Sequence, residues 1–180
     1  GAEIFSKVVE LCPRASWFKS IDDMLLHRRK LEFDIFQHLE ISHVLPRVKN
    51  GFTTVDEFVR LANSVTNRRK SRAGTSLELN LESIFRDEQL RFETQKITEG
   101  KKKPDFLFPG QQQYRDPTFP DLNLHMLAAK TCCKDRWRQA TTEAKRISPK
   151  HLFTLQEGVS EHQLEEMRAS MVKLVVPSSH

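Results

Sequence analysis

The sequence predicts an α/β domain: a helical amino-terminal portion, then a central mixed β-sheet flanked by helices. Three observations predict it. The first third carries apolar residues at helical spacing. From about Arg91 the chain turns to short segments of strand length. From there strand and helix patterns alternate to the end of the chain, as a mixed sheet covered by helices requires.

The elements follow in order. Ile4, Phe5, Val8, Val9 and Leu11 recur at helical spacing, and Pro13 stops them. Ile21 to about His43 reads as a long helix, broken at most once. Leu25, Leu31, Ile35, Phe36, Leu39 and Ile41 supply its apolar side, and Pro46 and Gly51 mark the turn after it. Thr53 or Thr54 can cap a helix to about Val65, since a threonine oxygen satisfies an amide of the first turn. After Gly74, Leu77, Leu81, Ile84 and Phe85 make another helical stripe. Strand candidates are Arg91 to Ile97, Asp105 to Phe108 and Leu124 to Thr131. Lys134 to Ile147 reads as a helix with Trp137, Ala140, Ala144 and Ile147 on one side. His151 to Leu155, Glu161 to Ser170 and Met171 to Val176 read as strand, helix and strand. This is one domain over 1–180, with a helical part of about 1–73 and an α/β core of about 74–177. A strand edge left open at the end suggests residues missing at the carboxyl terminus.

Bulk properties set bounds. The chain has 180 residues, 38% hydrophobic and 29% charged, enough for one real core. No apolar run approaches the roughly 20 residues of a membrane span, and no signal peptide is visible, so a cytoplasmic protein is expected. Cys12, Cys132 and Cys133 are odd in number and lack zinc spacing, so they read as reduced thiols. The net charge of +5 and a pI near 9.2 permit a polyanionic partner. The charge is concentrated in Asn67-Arg68-Arg69-Lys70-Ser71-Arg72 and in Lys101-Lys102-Lys103. Either run alone reads as a solvated loop or as a binding patch.

Two segments carry the chemistry. In Lys103-Pro104-Asp105-Phe106-Leu107-Phe108 an aspartate opens an apolar strand after a proline. Aspartate is a poor strand former, so it reads either as a metal or phosphate ligand or as a turn cap. In Leu127-Ala128-Ala129-Lys130-Thr131 a lysine interrupts a small, apolar strand. It needs a carboxylate, a phosphate or a catalytic role, unless it guards a sheet edge. Together they resemble a PD…(D/E)xK nuclease signature, in which carboxylates hold Mg²⁺ and a lysine offsets charge at the phosphate. The acid expected two residues before the lysine is absent, because Ala128 stands there. Glu143, thirteen residues after Lys130, can replace it: Arg136, Gln139 and Glu143 share a face of the expected helix. Glu78 is a further candidate ligand. Cys132-Cys133-Lys134-Asp135-Arg136-Trp137-Arg138 begins just past the lysine strand. Lysine and arginine read guanine and aspartate accepts from cytosine, so this stretch suits G·C readout.

The 67–74 run, the segment Lys103 to Pro109, Leu127 to Arg138 and His151 to Ser160 occur in register. Together they resemble the catalytic domain of the EcoRII-type restriction endonucleases, a group that includes the SsoII and PspGI enzymes. The likeness runs from about residue 20 to residue 177. It implies a PD-(D/E)xK fold and a bacterial or archaeal type II enzyme of a restriction-modification system. It implies a homodimer, Mg²⁺ and cleavage of double-stranded DNA near a CCWGG site. It implies Asp105 and Glu143 as metal ligands, Lys130 as the catalytic lysine, and Tyr114 near the active site. That group moves the second acid to the following helix, which accounts for Ala128. Lys134, Asp135 and Arg136 match its G·C-reading stretch, with Lys134 open to a catalytic role as well. Arg138 and the run Arg68, Arg69, Lys70 and Arg72 complete the expected DNA contacts. The group also flips central bases out of the duplex, which needs a receiving pocket. Two departures stand out: Cys132 replaces a threonine, and the amino-terminal effector domain of the EcoRII enzyme has no counterpart here. The alternative reading is a recognition domain that does not cut, or a nuclease that depends on an effector. The complete set of Asp105, Lys130 and Glu143 favours the enzyme. No H-E-x-x-H or G-x-S-x-G motif supports another hydrolase.

Overall fold

A computed structural model describes residues 1–14 and 18–178. They form two compact units, Gly1–Leu81 and Glu82–His180.

The first unit is helical. Helix α1 (Ala2–Leu11) and helix α2 (Ile21–Lys49) pack around Val8, Cys12, Met24 and Leu25, all buried. Ser20 caps α2, its hydroxyl accepting from the Asp23 amide at 3.0 Å. The helix is unbroken and extends past the expected end at His43. Pro46 stands inside its last turn. Helix α3 (Val55–Asp87) starts where Thr54 accepts from the Glu57 amide. It absorbs what the sequence divided into two helices and a basic segment, so the run 67–72 is helix rather than loop. Two of its cations have partners within the unit. Arg69 pairs with the buried Glu40 of α2 at 2.5 Å, and Arg72 lies 4.6 Å from the Phe36 ring. Inside, Asn80 donates to Glu32 at 2.6 Å. The buried Asn80 amide nitrogen is thereby satisfied, while its Oδ1 has no hydrogen-bond partner.

The second unit holds the sheet, in the order β1-β2-β3-β4-β5. Strands β1 (Glu93–Thr94), β2 (Phe106–Phe108) and β3 (His125–Ala129) are antiparallel neighbours. Strands β4 (Lys150–Phe153) and β5 (Val172–Val175) continue it in parallel with β3. The sheet is therefore mixed, as expected. Strand β1 is shorter than the 91–97 pattern, because Gln95 turns to φ +53 and ends the pairing. One face carries Leu107, Met126, Ala128, Leu152 and Val172. It is buried with Trp137 and Ala140 of helix α5 (Trp137–Thr141) and with Met167 of helix α6 (Glu161–Ala169). On the other face Phe106 and Phe108 meet Phe85 and Phe92, three of the four ring pairs edge-on and Phe92–Phe108 tilted, with centroids 5.1–5.9 Å apart. Helix α4 (Gln111–Arg115) contributes Tyr114 to the core.

The helix expected over 134–147 is much shorter. A 3-10 turn, Lys134–Arg136, leads into α5, which stops at Thr141. The Thr142 hydroxyl turns back onto the Gln139 carbonyl at 2.9 Å, and Ala144 takes φ +46, so the chain leaves the helical path. Glu143 accordingly lies on a turn, not on a helix face.

Candidate active site

The site forms where β2 and β3 begin and end side by side. Asp105 immediately precedes β2 and Lys130 immediately follows β3. Antiparallel pairing of Phe106 with Leu127 brings those two ends together. Asp105 is 7% exposed, so its charge needs partners. It has three. Its Oδ2 accepts from the Ala129 amide at 2.8 Å and from the Lys130 ammonium at 2.8 Å, and its Oδ1 accepts from Gln95 Nε2 at 3.0 Å. The Lys130 amide is itself held by the Phe153 carbonyl of β4 at 2.9 Å.

Glu143 joins them electrostatically. Burial, then the Asp105 charge, push its carboxyl up to about 7; Lys130, Lys102 and Lys150 oppose that rise. Its Oε2 is buried without a hydrogen-bond partner. An orphaned carboxylate oxygen beside a second carboxylate is costly, and a cation relieves both defects. Two hard oxygen donors fit Mg²⁺, which characteristically takes one or two carboxylates and completes its shell with waters and substrate phosphates. Among the described residues no cluster of three or more acidic, histidine or cysteine side chains is gathered for a metal. A site here would be completed by non-protein oxygens.

The family model for the EcoRII C-terminal region matches residues 36–180. The chain belongs to the EcoRII C-terminal family. It is 62% identical over 159 residues to the type II restriction enzyme EcoRII of Escherichia coli. That match covers 88% of this chain and 39% of the relative, so the chain spans well under half of that protein. Among solved structures, the fold resembles restriction endonuclease PspGI in its substrate–DNA complex (TM-score 0.77, 18% identity, 97% of this chain and 75% of that one). It also resembles metal-depleted Ecl18kI bound to uncleaved, modified DNA (TM-score 0.74, 21% identity, 98% and 69%). The α/β restriction-endonuclease fold is thereby established.

In this EcoRII C-terminal chain the structure brings Asp105, Lys130 and Glu143 into one neighbourhood. It places the other candidates as follows. Tyr114 is buried and its hydroxyl contacts the Glu99 carboxylate. Burial and that carboxylate push the phenol up to about 12, so it stays protonated. Lys134 and Arg136 are exposed on the 3-10 turn, and the side chain of Asp135 lies outside the described residues. Arg138 contacts both carboxylate oxygens of Glu166 at 3.1 Å and stacks on Trp137 at 4.7 Å. Glu78 sits half-buried on α3 in the first unit, as does Arg72. Arg68, Arg69 and Lys70 are exposed there.

Four participants escaped the sequence reading: Gln95, Thr98, Glu99 and Lys150. Lys150 is buried, with Nζ donating to the Ala144 and Ile147 carbonyls at 3.0 Å each. Burial lowers its pKa, while Glu99 and Glu143 work to raise it. A signal for it existed. Pro149-Lys150-His151-Leu152-Phe153 repeats the pattern of Pro104-Asp105-Phe106-Leu107-Phe108, a charge opening an apolar strand after proline. Gln95, Thr98 and Glu99 carried no comparable signal, being polar residues in a polar loop.

Proposed function

We propose that this chain is the catalytic domain of a type II restriction endonuclease, hydrolysing a phosphodiester bond of double-stranded DNA with Mg²⁺ at a CCWGG-like site. The observation that carries this reading is the buried Asp105–Lys130 pair with the unpartnered Glu143 oxygen beside it. Asp105 and Glu143 would hold Mg²⁺, and the bound ion supplies Lewis-acid polarisation of the phosphate and a lowered pKa for an attacking water. Lys130, anchored through Asp105, offers a fixed positive charge where negative charge grows on the attacked phosphate. As the water gives up one proton its oxygen would bond to phosphorus, the bond to the leaving sugar oxygen would break, and that oxygen would take a proton from solvent water. Tyr114 acts at one remove, through Glu99. Lys134, Asp135 and Arg136 would read the G·C pairs. Arg68 and Lys70 would meet phosphates, which position the protein without reading sequence. A palindromic site calls for a two-fold homodimer, each copy cutting one strand.

The test is digestion of plasmid DNA by the wild-type chain and by Asp105→Ala, with and without Mg²⁺. Discrete fragments that require Mg²⁺ and vanish in the variant are expected, and sequencing their ends gives the site. Binding of a CCWGG duplex without cutting by the wild-type chain would replace this reading with recognition alone.

A further inference from the structure

Glu143 stands on the turn after α5, outside any helix or strand. Its amide still donates to the Ala140 carbonyl of α5 at 3.2 Å, but no regular backbone ladder continues past it. Ladders normally pin a residue by satisfying its neighbours' amides and carbonyls. Here side chains from elsewhere take over that task. Lys150 Nζ donates to the carbonyls of Ala144 and Ile147, both at 3.0 Å. Thr98 Oγ1 accepts from the Ala144 amide at 3.3 Å, and Glu99 Oε1 accepts from the Lys145 amide at 3.1 Å. Tyr114 Oη accepts from the Arg146 amide at 3.4 Å and donates to the same Glu99. The turn is therefore gripped by its carbonyls on one side and its amides on the other.

Lys150 is the unusual member. It is 8% exposed, and a buried ammonium is expensive unless it does something a neutral side chain cannot. A charge-assisted bond is roughly twice as strong as a neutral one, and one ammonium can bind two carbonyls at once. One of those carbonyls belongs to Ala144, the left-handed residue that directly follows Glu143, and the other closes the same turn three residues on. Holding them fixes the direction in which the Glu143 side chain leaves the backbone.

We propose that Lys150 is a positioning residue for the metal site. By binding the Ala144 and Ile147 carbonyls it fixes the turn that presents the Glu143 carboxylate beside Asp105. The proposal rests on the reading of Glu143 as a ligand. It acts without touching the metal, the DNA or the reacting atoms. Groups of this supporting kind tune metal affinity by about 10–100-fold when removed.

The experiment measures Mn²⁺ affinity by electron paramagnetic resonance, in complex with a CCWGG duplex carrying a non-hydrolysable scissile linkage. It compares wild type, Lys150→Met, Glu143→Gln and the double variant, with a thermal melt of each. Lys150→Gln, which keeps an N–H donor, stands in where Lys150→Met does not fold. The expected result is a loss of about 10–100-fold for either single variant. The double variant binds no more weakly than Glu143→Gln, because the lysine works through that carboxylate. Metal-free duplex affinity of the Lys150 variants is unchanged. Wild-type affinity in a folded Lys150 variant, beside a loss in Glu143→Gln, overturns the proposal and leaves the ligand reading standing. Additive losses also overturn it. Wild-type affinity in Glu143→Gln removes the ligand reading itself, and the proposal with it. If no Lys150 variant folds, the lysine serves stability in general and the proposal is overturned.

Discussion

The Lys130 ammonium lies 2.8 Å from Oδ2 of Asp105, and that same oxygen accepts the Ala129 amide, also at 2.8 Å. One carboxylate thus joins the start of β2 to the end of β3. The arrangement is asymmetric. Without Lys130, Asp105 keeps Ala129 and Gln95; without Asp105, Lys130 loses its carboxylate while staying largely enclosed, with 18% of its side chain exposed. Asp105→Ala should therefore cost more stability than Lys130→Met, about 1–3 kcal/mol in urea denaturation. Both should lower kcat by at least about 100-fold, as expected for removing a preorganised charge at a reaction centre. Equal stability losses would contradict the asymmetry.

Glu143 makes the metal-free protein sensitive to pH. Its folded pKa of about 7 lies above the ordinary carboxylate value near 4.5. The folded state therefore binds the proton more tightly than the unfolded state. This stabilisation is fully present below about pH 4.5 and is lost as pH rises through about 7. Paired urea melts across that window should show wild type losing on the order of 2 kcal/mol more than Glu143→Gln. Parallel pH profiles for the two would refute the shift.

If Glu143 is a ligand as proposed, the same carboxyl couples metal to protons. A ligand must be ionised, so metal binding near pH 6.5 should release close to one proton, and affinity should fall as pH drops below 7. Calorimetry in two buffers of different ionisation enthalpy reads the proton count directly. Buffer-independent heats would show that Glu143 is already ionised.

Arg136 is exposed on the 3-10 turn that follows the Lys130 segment. A bidentate guanine contact is worth about 1–3 kcal/mol, so Arg136→Ala should weaken specific binding by that amount and relax discrimination at one base pair. A phosphate contact would instead weaken all duplexes alike and reduce the salt slope by about one. Competition binding at several salt concentrations separates the two.

Met171 follows α6 at φ +55 and is exposed. A side chain is strained there and glycine is not. Met171→Gly should stabilise the domain by about 0.5–1 kcal/mol, seen as a higher urea midpoint at unchanged slope.

Much of the fold was legible because its signals are local. Thr54, one of the two threonines expected to cap the third helix, does so through the Glu57 amide. The apolar runs 105–108 and 124–131 became β2 and β3, since two-sided apolar strands must be buried. Errors fell where local signals conflict or are weak. The run from Arg68 to Arg72 looks like a solvated loop until Glu40 pairs with Arg69 and Phe36 packs against Arg72 along α3. The 134–147 stripe looks like one helix, and its apolar residues are indeed buried. The backbone between Thr141 and Ile147 turns because tertiary partners satisfy it better than a helix would.

By itself the sequence determined the candidate residues: Asp105 at a strand mouth, Lys130 at a strand end, and a spare acid at Glu143. It also determined the alternation of strand and helix, because hydrophobic periodicity and turn residues act over a few positions. Tertiary structure alone decided that Glu143 would be delivered by a turn, and that Thr98, Glu99, Tyr114 and Lys150 would hold that turn. Those partners are 3 to 46 positions from the groups they bind. Hydrogen bonds across such distances depend on how the strands pack, and no spacing along the chain encodes them.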